Sequence, residues 1–225
     1  MGNFLETPNT NKKSIKFNNA GINIGATGMQ GWRLEMEDAE IVESMPSKPD
    51  HTLLSVFDGH GGSGAAEYAS KNMVRIIEET EEWKEYIAGG VECTDLVGRA
   101  FIKAYLDTDI LLRKHQKSIS GDSSGCTAVS VMITPRYIIC ANAGDSRSVM
   151  GTGGTTKPLS EDHKPDGEIE RKRIESAGGT VHCKRVDGDL AVSRALGDFQ
   201  YKVTFLSQTP TQHYFKVIPN LFFPP

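Results

Sequence analysis

The chain of 225 residues has no closely spaced cysteine pair, no long apolar run and no excess of basic residues. Its four cysteines form no Cys-x-x-Cys motif, so we expect free thiols and a reducing location, in the cytoplasm or nucleus, rather than a disulfide framework. No segment is long and apolar enough to predict a membrane span. The formal net charge of −4 gives no indication of nucleic-acid binding. The remaining class is a globular protein that forms one sizeable domain or two small ones.

The N-terminal residues lack the apolar core of a signal peptide. We interpret residues 1–20 as a polar, flexible leader because they are rich in Asn, Lys and Thr. The Met1-Gly2 start fits N-myristoylation of Gly2, although Glu6 occupies the position where that motif favours Ser or Thr. A single acyl chain would give only marginal membrane association.

The C-terminal residues lack acids, since no Asp or Glu follows Asp198. Prolines 210, 219, 224 and 225 interrupt this region, and no period of 2 or 3.6 runs through it. We predict that residues 203–225 form a divergent, disordered tail that adds no strand, because proline cannot pair within a sheet interior.

Apolar periodicity predicts the other elements. The predicted strands cover residues 22–31, 39–45, 52–57, 125–134, 137–144 and 146–151. Helices are predicted after a capping Ser63, over 94–117 and over 166–179. Strands and helices do not alternate regularly, which disfavours a doubly wound parallel sheet. We therefore expect antiparallel sheets with helices packed outside.

The segment LLSVFDGHGG, residues 53–62, ends a buried strand in an acid, an imidazole and three glycines. Asp58 and the carbonyl of Gly59 are oxygen donors that suit a hard cation such as Mg²⁺ or Mn²⁺. His60 beside them could donate or accept a proton. The alternative is an ordinary strand-to-helix turn, in which Asp and Gly are common.

Further acids follow other apolar segments. In RLEMED, Arg33 precedes Glu37 and Asp38, a combination that suits phosphate and metal binding but also describes a solvated strand end. Asp145 and Asp198 each follow a glycine at the end of an apolar segment. Asp58, Asp145 and Asp198 thus occupy equivalent positions at the ends of three apolar segments. This repetition is harder to explain by chance than a single case and favours one common site.

The segments RLEMEDAE, SVFDGHGG, SGCTAVSVMI, ANAGDSRSV, LSEDHKPDGEIERKRIESAGG and LAVSRALGDFQYK resemble, in this order, the motifs of the PP2C-type (PPM family) metal-dependent serine/threonine protein phosphatases. The resemblance runs from about Gly21 to Lys202, so residues 21–202 are interpreted as the N-terminal part of a phosphatase domain. It implies an αββα sandwich of two antiparallel sheets flanked by helices, incomplete at the C-terminus.

The resemblance also implies a metal site. Asp58 would bridge two Mg²⁺ or Mn²⁺ ions, and the Gly59 carbonyl would bind one of them. Glu37 and Asp38 would hold metal-bound water, and Asp145 would help to hold a third, weaker ion. Such ions lower the pKa of a bridging water until it becomes a nucleophile.

Catalytic roles follow from the same resemblance. Arg33 would bind the substrate phosphate and His60 would be the general acid, whereas Thr127 and Asp198 are interpreted as structural residues. The expected partners are phosphorylated proteins, with the chain acting as a monomer. The family pattern requires two more acidic motifs, and neither occurs after Lys202. Three hypotheses therefore stay open: an active phosphatase, a product that binds without turnover, and a non-functional truncated product.

Overall fold

The protein is described by a computed structural model that covers residues 4–89, 93–202 and 220–222. The strands are β1 (Phe4–Asn19), β2 (Ile22–Arg33), β3 (Ala39–Met45), β4 (Lys48–Phe57), β5 (Gly59–His60), β6 (Gly125–Cys126), β7 (Ala128–Ile133), β8 (Ile138–Ala143), β9 (Val149–Thr152), β10 (Thr155–Pro158), β11 (Val181–His182), β12 (Arg185–Val186), β13 (Leu196–Gly197) and β14 (Asn220–Phe222). The helices are α1 (Gly64–Glu79), α2 (Glu81–Gly89), α3 (Thr94–Ser118), α4 (Glu168–Ser176) and a 3₁₀ turn over Phe199–Tyr201.

The central sheet has the strand order β14-β8-β7-β4-β3, and each of its strand pairs is antiparallel. A three-stranded sheet of β13, β6 and β5 adjoins it, and β1–β2, β9–β10 and β11–β12 form hairpins. The expectation of antiparallel sheets flanked by helices is confirmed. In the part of the chain that the structure describes, the second layer consists of these smaller pieces.

The two faces of the central sheet are covered differently. On β4, Leu53 and Phe57 are fully buried against α1, α2 and α3, whereas Val56 between them is 47 % exposed on the opposite face. Met132 lies opposite Leu53 across the strand pair and extends the helix-covered core. The opposite face and the β1–β2 hairpin border an apolar groove of about 490 Å³.

The predicted helix after residue 63 is confirmed, together with its buried stripe at i+3 and i+4 spacing. Ser63 does not cap it through its side chain; Ser124 Oγ instead accepts the Ala65 N–H at 2.9 Å. The predicted helix over 94–117 corresponds to α3. Tyr105 of α3 reaches the sheet and donates to Ser130 Oγ at 2.8 Å, which fixes the helix against β7.

The interpretation of the first 20 residues as a flexible leader is wrong for residues 4–19, which form β1. A two-residue turn at Ala20 and Gly21, both with positive φ, joins β1 to β2. Cross-strand polar pairs, such as Asn18 with Asn23 at 2.8 Å, use the side chains that had suggested disorder. Gly2 lies outside the described residues.

The prediction that the tail adds no strand is wrong for Asn220–Phe222. This strand pairs antiparallel with β8, where Leu221 lies opposite Ala141. Proline excludes an interior strand, but β14 occupies the sheet edge and follows directly after Pro219, a position that proline tolerates. Residues 203–219 and 223–225 lie outside the described part of the chain.

Two further elements differ from the expectation. The predicted strand over 125–134 is divided into β6 and β7 at Thr127, and α2 was not predicted. The helix predicted over 166–179 is confirmed as the shorter α4, which covers a separate small core that includes Ile174, Val186 and Leu190. Across residues 4–89, 93–202 and 220–222, no helix is long and apolar enough to cross a membrane.

Candidate active site

Asp58, the first residue after β4, is at the centre of the candidate site. Its N–H donates to Thr127 Oγ1 at 3.1 Å, and its carbonyl accepts the N–H of Thr127 at 2.9 Å. Thr127 Oγ1 also lies 2.6 Å from Ser146 Oγ. Thr127 therefore fixes the backbone of Asp58, as its interpretation as a structural residue predicts.

The absence of a side chain at Gly59 allows two backbone segments to pack closely. A Cβ atom at this position would overlap the backbone oxygen of Glu37, so only glycine lets the two segments approach. Glu37 Oε1 accepts the N–H of Gly62 at 2.6 Å. The segment that contains Glu37 is thus held directly beside the segment that contains Asp58.

Two neighbouring polar cavities share Arg33, Asp58 and Gly59 in their walls. His60 and Asp145 line the larger cavity, of about 410 Å³. The seven predicted site residues therefore lie around one centre, because Glu37 and Asp38 line the smaller cavity, of about 210 Å³. The chain bends after Arg33, and this bend lets both acids face the site.

The acids of the site repel one another. Burial, followed by the charge of Asp145, raises the pKa of Asp58 above its usual value. Burial, followed by the charge of Asp58, does the same for the pKa of Asp38. Asp145 has a partner outside the acidic group, because Lys164 Nζ forms an ion pair with its carboxylate. Arg33 lies 3.4 Å from Glu37, and its side chain is 68 % exposed.

Sequence reasoning missed the role of Asp198, which was interpreted as a turn residue. It does occupy a left-handed turn, with φ of 52°. Its oxygens also lie 2.9 and 2.8 Å from Nε2 of His60. Burial lowers the pKa of His60, but the hydrogen bond and charge of Asp198, together with the charges of Asp58 and Glu37, outweigh it, so the pKa lies above the usual value. The 138-residue separation of the pair gave no sequence signal.

Arg185 was also missed. It lines the larger cavity, as Arg33 does, and so adds a second guanidinium to a cavity wall that contains Asp58 and Asp145.

The oxygen atoms at the site are of the type that binds a hard divalent cation. Asp58 and the Gly59 carbonyl supply two oxygens, and Mg²⁺ is commonly held by one or two carboxylates with water completing its shell. Burial, followed by the charges of neighbouring carboxylates, raises the pKa values of Asp58 and Asp38, and a bound cation would compensate their charge. Within the described ranges, no three His, Cys, Asp or Glu side chains form a ready-made metal centre.

An antiparallel αβ fold with acids, an arginine and a histidine around two neighbouring polar cavities is the arrangement that the phosphatase resemblance of the sequence implies. Residues 22–219 match the family profile described as Protein phosphatase 2C. The chain belongs to the protein phosphatase 2C family. The match extends beyond Lys202, where the motif resemblance ended.

Relatives with similar sequences come from several eukaryotes. A probable protein phosphatase 2C of Caenorhabditis elegans is 41 % identical over 203 residues, covering 90 % of this chain and 54 % of the relative. Protein phosphatase 1B of Rattus norvegicus is 39 % identical over 208 residues, covering 90 % and 53 %. The chain therefore spans about half the length of the relatives it matches.

Solved structures with lower identity share the fold. A serine-threonine phosphatase 2C from Toxoplasma gondii aligns with a TM-score of 0.70 at 20 % identity, covering 98 % of this chain and 77 % of that one. A sex determining protein of C. elegans aligns with a TM-score of 0.68 at 22 % identity, covering 96 % and 48 %. At these identities the likeness concerns the fold.

Proposed function

We propose that the chain hydrolyses phosphoserine and phosphothreonine monoesters on proteins. The observation that carries this proposal is the larger cavity, whose wall contains Arg33, Asp58, His60 and Asp145. A phosphate dianion needs positive charge for binding, and its ester oxygen needs a proton when it leaves. The cavity offers an arginine for the first need and an imidazole for the second.

The proposed cofactor is Mg²⁺ or Mn²⁺, with two ions in the site and a third held more weakly. Asp58 and the Gly59 carbonyl would hold the first two, with Glu37 and Asp38 acting through water. Asp145 would contribute to the third in exchange for its ion pair with Lys164. Bound divalent ions would neutralise phosphate charge and make a water molecule more acidic.

The protein's own residues perform the remaining steps. Arg33 is exposed and only loosely paired with Glu37, so its guanidinium can turn toward a phosphate. His60 would protonate the serine or threonine oxygen as the P–O bond breaks. Its raised pKa keeps it charged, and therefore able to donate, over more of the neutral pH range.

The second candidate function is phosphoprotein binding without turnover. It is favoured by the lack of a three-side-chain metal centre among the described residues. In this case Arg33 would still bind phosphate, but water would not be activated.

Phosphate release from a phosphoserine peptide, measured with and without Mn²⁺, tests the proposal. We expect release to require the metal, to stop with EDTA and to be lost in Asp58→Asn. His60→Gln should be less damaging, with a loss of roughly 10²–10⁴-fold, because it removes one proton transfer. Asp50→Asn, a change at an exposed acid outside both cavities, is the control.

Release that survives EDTA would contradict the metal role. Peptide binding without release, abolished by Arg33→Ala, would support the second candidate.

The proposed partners are phosphorylated proteins, with no nucleic acid, and we propose a monomer in the cytoplasm or nucleus. The four cysteines are free thiols, which is consistent with a reducing location. Intact-mass measurement on protein from its native cell tests acylation of Gly2; a mass without an acyl group would exclude it.

A further inference from the structure

The contact between His60 and Asp198 engages one particular ring nitrogen. Both carboxylate oxygens of Asp198 lie within 2.9 Å of Nε2. An ionised carboxylate only accepts hydrogen bonds, so Nε2 must carry the proton in this contact. The other nitrogen, Nδ1, is then the ring atom left for a substrate.

The position of Asp198 is built into the fold. Asp198 is 4 % exposed, whereas the side chain of His60 is 31 % exposed toward the cavity. A Cβ atom at Gly125 would overlap the Asp198 carboxylate, and one at Gly197 would overlap the carbonyl oxygen of Ser124. Glycines on β6 and β13 therefore allow the close strand approach that brings the acid to the histidine.

The backbone around Asp198 is anchored independently of His60. Asp109 of α3 accepts the N–H of Gly197 at 2.9 Å and the ammonium of Lys202 at 2.7 Å. The backbone of Asp198 is therefore fixed, and its carboxylate can orient the more exposed ring of His60 through their hydrogen bond. The hydrogen bond at one nitrogen sets the tautomer and ring orientation, and so determines which nitrogen faces outward.

We propose that Asp198 is a positioning residue that holds His60 through Nε2, so that Nδ1 is the nitrogen that gives its proton to the leaving serine or threonine oxygen. This inference rests on the proposed function. When the P–O bond breaks, the ester oxygen leaves with the bonding electrons and takes the Nδ1 proton. The ring retains its Nε2 proton, and water supplies the oxygen that joins phosphorus.

Long-range ¹H–¹⁵N NMR of the histidine rings tests the positioning without any turnover. The His60 signals are assigned by their loss in His60→Gln. In the neutral ring of the unmodified protein we expect the Nε2–H tautomer, and in Asp198→Ala a mixture of tautomers. Asp107→Asn is the matched control, because this acid of the same helix, α3, pairs with Lys103 and not with the Asp198 segment, and the variant should retain the tautomer. An Nδ1–H tautomer in the unmodified protein, or no change in Asp198→Ala, would overturn the proposal.

Gly125→Ala provides a second variant if Asp198→Ala does not fold. Its methyl group would displace the carboxylate without changing the acid itself. We expect it to shift the tautomer ratio in the same direction as Asp198→Ala. A retained Nε2–H tautomer in a folded Gly125→Ala protein would count against the fixed contact.

Kinetics on two esters test the link to the reaction. Asp198→Ala should lower kcat for a phosphoserine peptide by roughly 10–100-fold with little change in KM, because proton donation is impaired and phosphate binding is not. It should affect p-nitrophenyl phosphate far less, because that leaving group is stable without a proton. The double variant Asp198→Ala/His60→Gln should lose no more activity than His60→Gln alone. Equal losses on both esters, or additive losses, would overturn the positioning role.

If the unmodified chain releases no phosphate, the proposed function fails, while the NMR result still decides the positioning.

Discussion

Phe57 and Asp58 are neighbours in sequence but belong to regions with opposite requirements. Phe57 is fully buried in the helix-covered core, where apolar side chains from the sheet and the helices pack together. Asp58 lies in a cavity wall, where burial and then the charge of Asp145 raise its pKa. The core contributes stability through close packing, whereas the candidate site retains repulsion between Asp58 and Asp145 that a bound metal ion would relieve. The boundary between the two regions is a single peptide bond.

The largest effect on folding is expected in the core. Phe57→Ala should reduce the free energy of unfolding by roughly 3–5 kcal/mol, because it removes a buried ring and leaves a cavity. Urea unfolding monitored by circular dichroism measures the change. Val56→Ala on the same strand is the control and should change it by less than about 1 kcal/mol, since Val56 is half exposed. Similar losses in both variants would mean that the two sheet faces do not differ as described.

A second effect contrasts two kinds of acid. Glu170 accepts hydrogen bonds from Arg194, Arg173 and Ser193, and despite its burial these partners lower its pKa to about 2. Glu170→Gln should reduce stability by about 3 kcal/mol, because the buried Arg194 and the partly buried Arg173 lose their counter-charge. Glu168→Gln on the same helix is the control, since Glu168 is exposed and pairs with Lys172.

The pH dependence of this contribution has a definite sign. Because the folded pKa of Glu170 lies below its ordinary value of 4.5, the contribution is fully present above that value. It is lost as the pH falls from about 4.5 toward about 2. Urea unfolding of the unmodified protein and of Glu170→Gln across this range should show the two stabilities converging. A difference that stays constant down to pH 2 would contradict the ion pairing.

A smaller effect is expected at the site arginine. Arg33→Ala should raise KM for a phosphoserine peptide by about 10-fold, or about 1.4 kcal/mol, because a charge-assisted hold on phosphate is mostly ground-state binding. Arg75→Ala on α1, which removes an exposed pair with Glu79, is the control. An unchanged KM with a collapsed kcat would place Arg33 at the transition state instead.

The smallest expected effect is a gain in stability, whereas most substitutions reduce stability. In chelator-containing buffer at pH 7, Asp58→Asn should raise the thermal midpoint, by about 1–3 °C. A raised carboxyl pKa means that the charged form is less stable in the folded state, so a neutral isostere removes a penalty at every pH above the unfolded pKa. Glu81→Gln, at a highly exposed acid, controls for the general loss of one negative charge. A lowered midpoint would show that Asp58 stabilises the metal-free fold.

The sequence allowed prediction of those parts that depend on local periodicity. The stripe of Ala66, Ala69, Met73 and Ile77 predicted α1, and the apolar run at 52–57 predicted the buried part of β4. The resemblance of the ordered motifs implied that Arg33, Asp58 and Asp145 gather. Asp58 and Asp145 each follow a strand of the central sheet, and Arg33 ends β2 of the neighbouring hairpin.

The remainder depends on contacts between distant segments. The pairing of His60 with Asp198 requires β5, β6 and β13 to lie side by side, and two-residue strands have no periodicity to detect. The polar composition of residues 4–19 suggested disorder, since cross-strand Asn and Ser pairs become visible only once the hairpin register is known. β14 was missed because the proline argument applies to interior strands and not to edges.

The pairing of β14 with β8 also has a consequence for the order of folding. Leu221 and Ala141 are 80 positions apart in sequence, so this contact closes late and only after residue 220 has been synthesised. Until then, β8 is the outer strand of the sheet and presents unpaired N–H and C=O groups along a buried, apolar strand. Such an edge is a template for any other extended chain. During synthesis on the ribosome, the arrival of β14 therefore covers the edge of β8 and protects the nascent sheet from pairing with a neighbouring chain.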